Sequence, residues 1–278
     1  MDYIEILFTS SNPEFSSEIL SALLADAGFD MFQDTDEGVA AYIPEEHFNR
    51  ARLEKITAEG IPAFTGMKWT SRKIPYVNWN AEWEKNFTPV TVDDKVHIRA
   101  EYHPATDAPY EIVIRPGMAF GTGHHATTRM MVARMLEMDF KAKKVLDMGT
   151  GSGVLAILAE KLGAAGVTAA DYDGNAAANA EINIRLNNCQ HVTALKGTVA
   201  DITDTDFDSI LANINRNILL DDIPGYARAL KPEGNLVLSG FYSEDLQLIR
   251  EKAREFNFEL TGTLLRNNWC AASFKKGI

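Results

Sequence analysis

The stretch "VLDMGTGSGVLAI", residues 145–157, decides how the rest of this 278-residue chain is read. A short apolar run meets three glycines at alternate positions, Gly149, Gly151 and Gly153. A segment with Leu155, Leu158 and Leu162 on one helical face follows at once. This is strand, tight turn and helix, the place where an open α/β sheet binds a nucleotide-like ligand. Glycine lets the backbone approach the ligand, and Gly163 closes the helix. The next apolar run, "GVTAADYD", puts Asp171 twenty residues beyond Gly151, where a carboxylate accepts both hydroxyls of a ribose. A ligand-free turn would explain the glycines but leaves the acid without a role.

The spacing also chooses between ligands. It is Gly-x-Gly-x-Gly rather than the Gly-x-Gly-x-x-Gly of dinucleotide sites, and Asp147 stands two residues before the first glycine. A carboxylate there crowds a pyrophosphate but favours the ammonium and sulfonium of S-adenosyl-L-methionine, which has no phosphate. Asp147, Gly149, Gly151 and Asp171 are therefore expected at the cofactor, and cofactor titration separates this reading from an NAD-dependent oxidoreductase.

Outward from the turn, strands alternate with helices. The strands are "KVLDMG", "GVTAADYD", "HVTALKG", "FDSILANI", "NLVLSGF", "FELTGTLL" and "NWCAASFKK", and the helices between them include "GNAAANAEINIRLNN" and "ILLDDIPGYARAL". The pattern predicts a mostly parallel, doubly wound α/β sheet. Upstream, "DDKVHIRAEYH" and "YEIVIRPG" read as strands joined by the turn-rich "PATDAP". The first 75 residues follow another order, β-α-β-β-α-β, with a hairpin from "FDMFQD" to "GVAAYIP" and a second helix over "EEHFNRARLEKITAEG". That is a compact split βαβ unit. The organisation expected is a small α+β domain over 1–75, a polar-aromatic linker helix over 76–90, and the large α/β domain over 91–278.

Composition narrows the class. Hydrophobic content of 46% with 24% charge is ordinary for a globular protein, and no apolar run reaches the roughly 20 residues of a membrane span. The start "MDYIEILF" lacks the basic region of a signal peptide. Cys189 and Cys270 match no metal or redox spacing, so buried thiols in a reducing cytoplasm are expected. The net charge is −12, and residues 1–60 hold thirteen acids against three bases. Such a surface repels nucleic acid and attracts basic proteins, although charge kept only for solubility accounts for the composition equally well.

A second Gly-Thr-Gly occurs in "RPGMAFGTGHHATTRMM", residues 115–131. Adjacent His124 and His125, without cysteines or an acid cluster nearby, make a poor metal site, and none is predicted. At the end of "ILANI", Asn213 stands at the carboxyl edge of the sheet, where it either caps the next helix or turns its carbonyl to a substrate amine.

Taken in order, "NWNAEWEKNFTPV", "GMAFGTGHHATT", "VLDMGTGSGVLAI", "DYDGNAAANAEINIRLN", "ILANI" and "LVLSG" resemble the bacterial ribosomal protein L-eleven methyltransferases. The motifs run from about residue 78 to the C-terminus; before that the likeness is one of position and domain type. The resemblance implies a class I (Rossmann-like) methyltransferase domain behind a ferredoxin-like substrate-recognition domain. The implied activity is transfer of methyl groups from S-adenosyl-L-methionine to lysine side chains and the N-terminal α-amine of ribosomal protein L-eleven. It implies cofactor contacts at Thr128, Gly149, Asp171 and Asn213, a first loop that lids the methionine end, and Phe120 lining the amine channel. Asn213 becomes the residue that orients the amine. A cytoplasmic monomer without direct nucleic-acid or membrane contact is expected. "NINRNIL" departs from the family, with Asn215, Arg216 and Asn217 near the substrate entrance, which bears on the amines accepted. Another protein or a small-molecule amine as acceptor, or a non-catalytic module that binds a ribosomal protein, are the remaining readings.

Overall fold

In a computed structural model of the chain, which describes residues 2–10, 17–24, 27–58, 67–75, 87–115 and 120–278, the glycine turn does join a strand to a helix. The chain forms two compact units, Met1–Trp79 and Asn80–Ile278. Most of the expected linker helix, with Trp79 and Trp83, and residues 116–119 ahead of the first loop lie outside the described residues.

The first unit runs β1 (Tyr3–Thr9), α1 (Ser17–Leu24), β2 (Met31–Thr35), β3 (Gly38–Pro44), α2 (Arg50–Ala58) and β4 (Lys68–Ile74). Its antiparallel sheet has the order β2-β3-β1-β4, the ferredoxin-like arrangement. Ile4, Ile6 and Phe8 alternate inward from β1 and pack with Leu20, Leu24 and Leu53 of the helices. The helix read from Glu45 starts later. Pro44 leads into one 3-10 turn at Glu45–His47, and the Asn49 side chain then accepts the Arg52 N–H at 3.0 Å, restarting the chain as α2. The acidity is also tempered. Lys68, Arg72 and Lys73 bring residues 1–75 to thirteen acids against six bases. Arg72 pairs with Glu5, and Lys73 with Asp2 and Glu45.

The second unit opens with a three-stranded sheet, β5 (Val90–Val92), β6 (Val96–Ala100) and β7 (Tyr110–Ile114). β6 and β7 are parallel, so the connection containing "PATDAP" runs back along the pair instead of closing a hairpin. Then come α3 (Ala126–Leu136), β8 (Lys144–Met148), α4 (Val154–Lys161), β9 (Gly166–Asp171), α5 (Gly174–Leu186), β10 (Val192–Lys196), β11 (Phe207–Asn213), α6 (Arg216–Ala229), β12 (Leu230–Tyr242), α7 (Leu246–Glu255), β13 (Phe258–Arg266) and β14 (Trp269–Lys276).

The large sheet has the order β10-β9-β8-β11-β12-β14-β13. β8 to β12 run parallel to one another, and β14 runs antiparallel to both of its neighbours, β12 and β13. Alternate strand residues enter different cores. Val145, Ala169, Leu211 and Val237 pack with α3, α4 and α5, while Leu146, Ala170, Ile210 and Leu236 pack with α6 and α7. Burial on both faces is why these strands read as unbroken apolar runs. The strand order reverses between β8 and β11, which opens a crevice at their carboxyl ends. Among the described residues no helix is long and apolar enough to cross a membrane.

Candidate active site

The glycine turn is held from three sides. Gly149 and Thr150 donate their N–H groups to the Ala170 carbonyl at 2.8 and 3.0 Å, pinning the turn to the end of β9. Gly151 N–H donates to Asp171 Oδ2 at 2.9 Å, and Thr150 Oγ1 donates to Asp147 Oδ2 at 2.6 Å. Gly151 has φ +55°, and a Cβ there would lie 2.4 Å from the Phe120 carbonyl oxygen. Only glycine fits, because the first loop is already pressed against the second. Ser152 N–H confirms the contact by donating to that same Phe120 oxygen at 2.9 Å.

Asp171 is buried at the end of β9. Its Oδ1 accepts the Asp173 N–H at 3.0 Å while Oδ2 takes Gly151, so each oxygen keeps a lone pair for a further donor. Tyr172, 72% exposed, stands directly after it. The sequence carried only one signal for this ring, an aromatic at a strand end.

Asp147 corrects an expectation. It is 1% exposed and lies behind the turn, so it does not offer a ligand an open carboxylate face. Oδ2 also accepts the Ala156 N–H at 3.2 Å, whereas Oδ1 is buried without a hydrogen-bond partner. Burial pushes its pKa up to about 7, against the lowering pull of its Thr150 and Ala156 hydrogen bonds. The glycine cradle lets a ligand lie against the backbone, and the spare lone pairs of Asp171 can accept ribose hydroxyls. In these features the residues present fit S-adenosylmethionine.

The first loop leads into α3. His125 caps that helix, accepting the Thr127 N–H, so Thr128 sits inside the first turn rather than leading it. The two histidines have separate partners: His124 contacts Thr88, Thr122 and the Phe87 ring, and His125 contacts Thr127 and Trp269. Among the described residues no cluster suited to a metal occurs. Phe120 touches the glycine turn through its backbone, and its ring is 91% exposed instead of lining a channel.

Thr128 and Asn213, 85 residues apart, meet: Asn213 Nδ2 donates to Thr128 Oγ1 at 3.4 Å. Asn213 does not cap the following helix. That role belongs to Asn215, whose side chain accepts the Ile218 N–H at 3.1 Å. Arg216 is drawn to Asp245 at 2.7 Å and also donates to Asn217. Sequence reading also passed over Asn183, which is wholly buried in α5. It donates to the Ser152 carbonyl at 2.8 Å and accepts the Arg115 N–H at 2.7 Å, bracing the glycine turn against the strand ahead of the first loop. Its only signal was a polar residue on the apolar face of a helix.

The model of the family "Ribosomal protein L11 methyltransferase (PrmA)" matches residues 21–277. A ribosomal protein L11 methyltransferase of Phocaeicola vulgatus is 41% identical, with 99% of each chain covered. One of Porphyromonas gingivalis is 43% identical over 94% of this chain and 91% of its own. The crystal structure of a ribosomal protein L11 methylase from Lactobacillus delbrueckii subsp. bulgaricus superposes with a TM-score of 0.64 at 31% identity, covering 69% of this chain and all of that one. The glycine turn, the reversal of strand order beside it and these matches along nearly the whole length agree, and the chain belongs to the ribosomal protein L11 methyltransferase family.

Proposed function

We propose that this protein transfers methyl groups from S-adenosyl-L-methionine to amino groups of ribosomal protein L11, namely lysine side chains and the N-terminal α-amine. The observation that carries the proposal is the Asn213–Thr128 contact, which joins the helix entered from the first loop to the carboxyl edge of β11 beside the glycine turn. When bound, the cofactor supplies a methyl group on a sulfonium, a leaving group already activated. Gly149 and Gly151 let the backbone lie against it, Asp171 offers its remaining lone pairs to the ribose hydroxyls, and the Tyr172 ring offers a face to the adenine. Asp147 holds the turn from behind, through Thr150 and the Ala156 N–H. Phe120 and the first loop form the lid.

The chain must also free the amine of its proton. A lysine with a pKa of about 10.4 is nucleophilic in only about one molecule in a thousand near neutral pH. A dry crevice lowers that pKa, because burial disfavours the charged form. The Asn213 carbonyl, with neighbouring backbone carbonyls, accepts the remaining amine hydrogens and directs the lone pair; such alignment contributes up to roughly 7 to 11 kcal/mol. In this reading the enzyme is a cytoplasmic monomer without direct nucleic-acid or membrane contact, and the ferredoxin-like unit holds the basic substrate.

The test is incubation with labelled S-adenosylmethionine and purified ribosomal protein L11, followed by mass mapping. Label on lysine or N-terminal amines is the expected result. Tight cofactor binding without label in L11 would reject the substrate.

A further inference from the structure

Near Asn213, two aromatic rings at the carboxyl edge of the large sheet and one at the N-terminus of α3 are left unused by the catalytic reading. Tyr242 ends β12, Trp269 begins β14, and the two are register partners across the antiparallel ladder. Their rings stack at 4.2 Å with 30° between planes, and the His125 ring meets Trp269 edge-on at 4.7 Å. The core does not need this stack. The adjacent positions Phe241 and Cys270, at 1% and 0% exposure, already close the sheet, while Tyr242 remains 47% exposed.

Both ends of the stack are tied to residues that hold Asn213. His125 caps the helix whose Thr128 accepts the Asn213 amide. On the other side Asn213 pairs with Ser239 of β12, and Tyr242 lies three residues further toward the same edge, roughly 10 Å at about 3.3 Å per residue. Gly240, with φ +94°, bends the strand between them so closely over the chain after Asn213 that a Cβ there would lie 2.2 Å from the Ile214 oxygen.

The outer face of a stacked ring stays open and carries the negative side of its quadrupole, which attracts cations, quaternary ammonium groups among them. Among the described residues, the lysines and arginines that lie over rings do so elsewhere, on Trp69, Phe207 and Phe256. Exposed Glu244, two residues after Tyr242, adds negative charge.

We propose that Tyr242, Trp269 and His125 form an aromatic wall that binds the methylated ammonium of a partly methylated substrate, keeping the amine at the site for further transfer. The inference rests on the reading of this edge as an amine methyltransferase site.

The test compares choline, a quaternary ammonium, with 3,3-dimethylbutan-1-ol, its neutral isostere, by ligand-observed NMR on the full chain. Choline should bind at least about tenfold more tightly, the scale of a desolvated cation–aromatic contact. In Tyr242→Leu and in Trp269→Leu the preference should fall below about twofold, and Tyr242→Phe should restore it. Cofactor calorimetry checks that each variant is folded, and Tyr242→Leu, at an exposed position, serves if Trp269→Leu is not. On L11, Tyr242→Leu should shift the products toward monomethyl-amines. Equal binding of the two probes, or a preference that survives Tyr242→Leu, would overturn the proposal. Since the probes are read by binding, failure of L11 methylation would reject the substrate and leave this result standing.

Discussion

Thr122 and Thr150 are the middle residues of two identical Gly-Thr-Gly tripeptides, yet their hydroxyls have different partners. Thr150 is 5% exposed and donates to the buried carboxylate of Asp147. Thr122 is only half-buried and shares a hydrogen bond with the His124 ring at 3.2 Å. One tripeptide ends a central strand and is locked to that strand and to β9. The other precedes a helix and rests on the first through the Phe120 carbonyl. A glycine loop takes its role from the element it ends, not from its own letters.

The sharpest way to break this comparison is to add a methyl group to each loop. In Gly151→Ala the new Cβ meets the Phe120 backbone oxygen at 2.4 Å, and in Gly121→Ala it meets the movable Ser152 hydroxyl at 3.1 Å. Both positions have positive φ, so both are strained, but only the first also forces two backbones apart. We expect cofactor affinity to fall by at least about 100-fold for Gly151→Ala and about tenfold for Gly121→Ala. Calorimetry showing the reverse order would make the first loop the principal cofactor loop.

The next effects separate binding from turnover. Asp171→Ala removes the acceptor of the Gly151 and Asp173 N–H groups as well as the expected ribose contact, and should weaken cofactor binding roughly 10- to 100-fold. Asn213→Ala should instead lower kcat at saturating cofactor, by roughly 10- to 100-fold, and change cofactor affinity less. Equal losses in both quantities would reduce Asn213 to a cofactor contact.

Asp147 gives a smaller effect on activity with a defined sign in stability. Its pKa of about 7 in the fold lies above the unfolded value of about 3.9. The contribution of the protonated form is therefore fully present below about pH 4 and is lost as pH rises to about 7. Asp147→Asn mimics that form, so its stability advantage over the wild type should grow across this window and then level off. Denaturant midpoints measured from pH 4 to 8 test it, and a constant gap would mean that the carboxylate stays ionised.

Salt should give the smallest effect. The ferredoxin-like unit carries excess acid, partly neutralised by its own ion pairs on β4. Raising ionic strength should slow L11 methylation a few-fold through the encounter rate, because exposed charges are screened beyond about 8 to 10 Å. A chain beginning at Tyr76 should bind cofactor and methylate L11 poorly. Full activity from that chain would reduce the acidity to a solubility device.

Most of the sheet was legible because its signals are local. A buried strand is an apolar run, a helix is a 3.6-residue period, and the turn between them is glycine at positive φ. The late start of α2 was hidden because Asn49 as a cap looks like any polar residue in a helical pattern. The parallel pairing of β6 and β7 was hidden because a turn-rich connection suggests a hairpin. In the site, the acid after β9 was found by distance along the chain, but Asp147 was read as facing the ligand when burial puts it behind the turn.

The amino-acid sequence by itself determined the strand-turn-helix around Gly149 and Gly151, the acid at Asp171 and the switch from split βαβ to alternating β and α. Each depends on residues within one or two neighbouring elements. Only the tertiary structure decided that Asn215 caps α6 and leaves Asn213 free for Thr128, that Asn183 braces the glycine turn, and that Phe120 meets Gly151 through its carbonyl. Those pairings join parts of the chain up to 85 residues apart. The strand order brings them together, and spacing along the chain carries no signal for side chains that meet only after the sheet has closed.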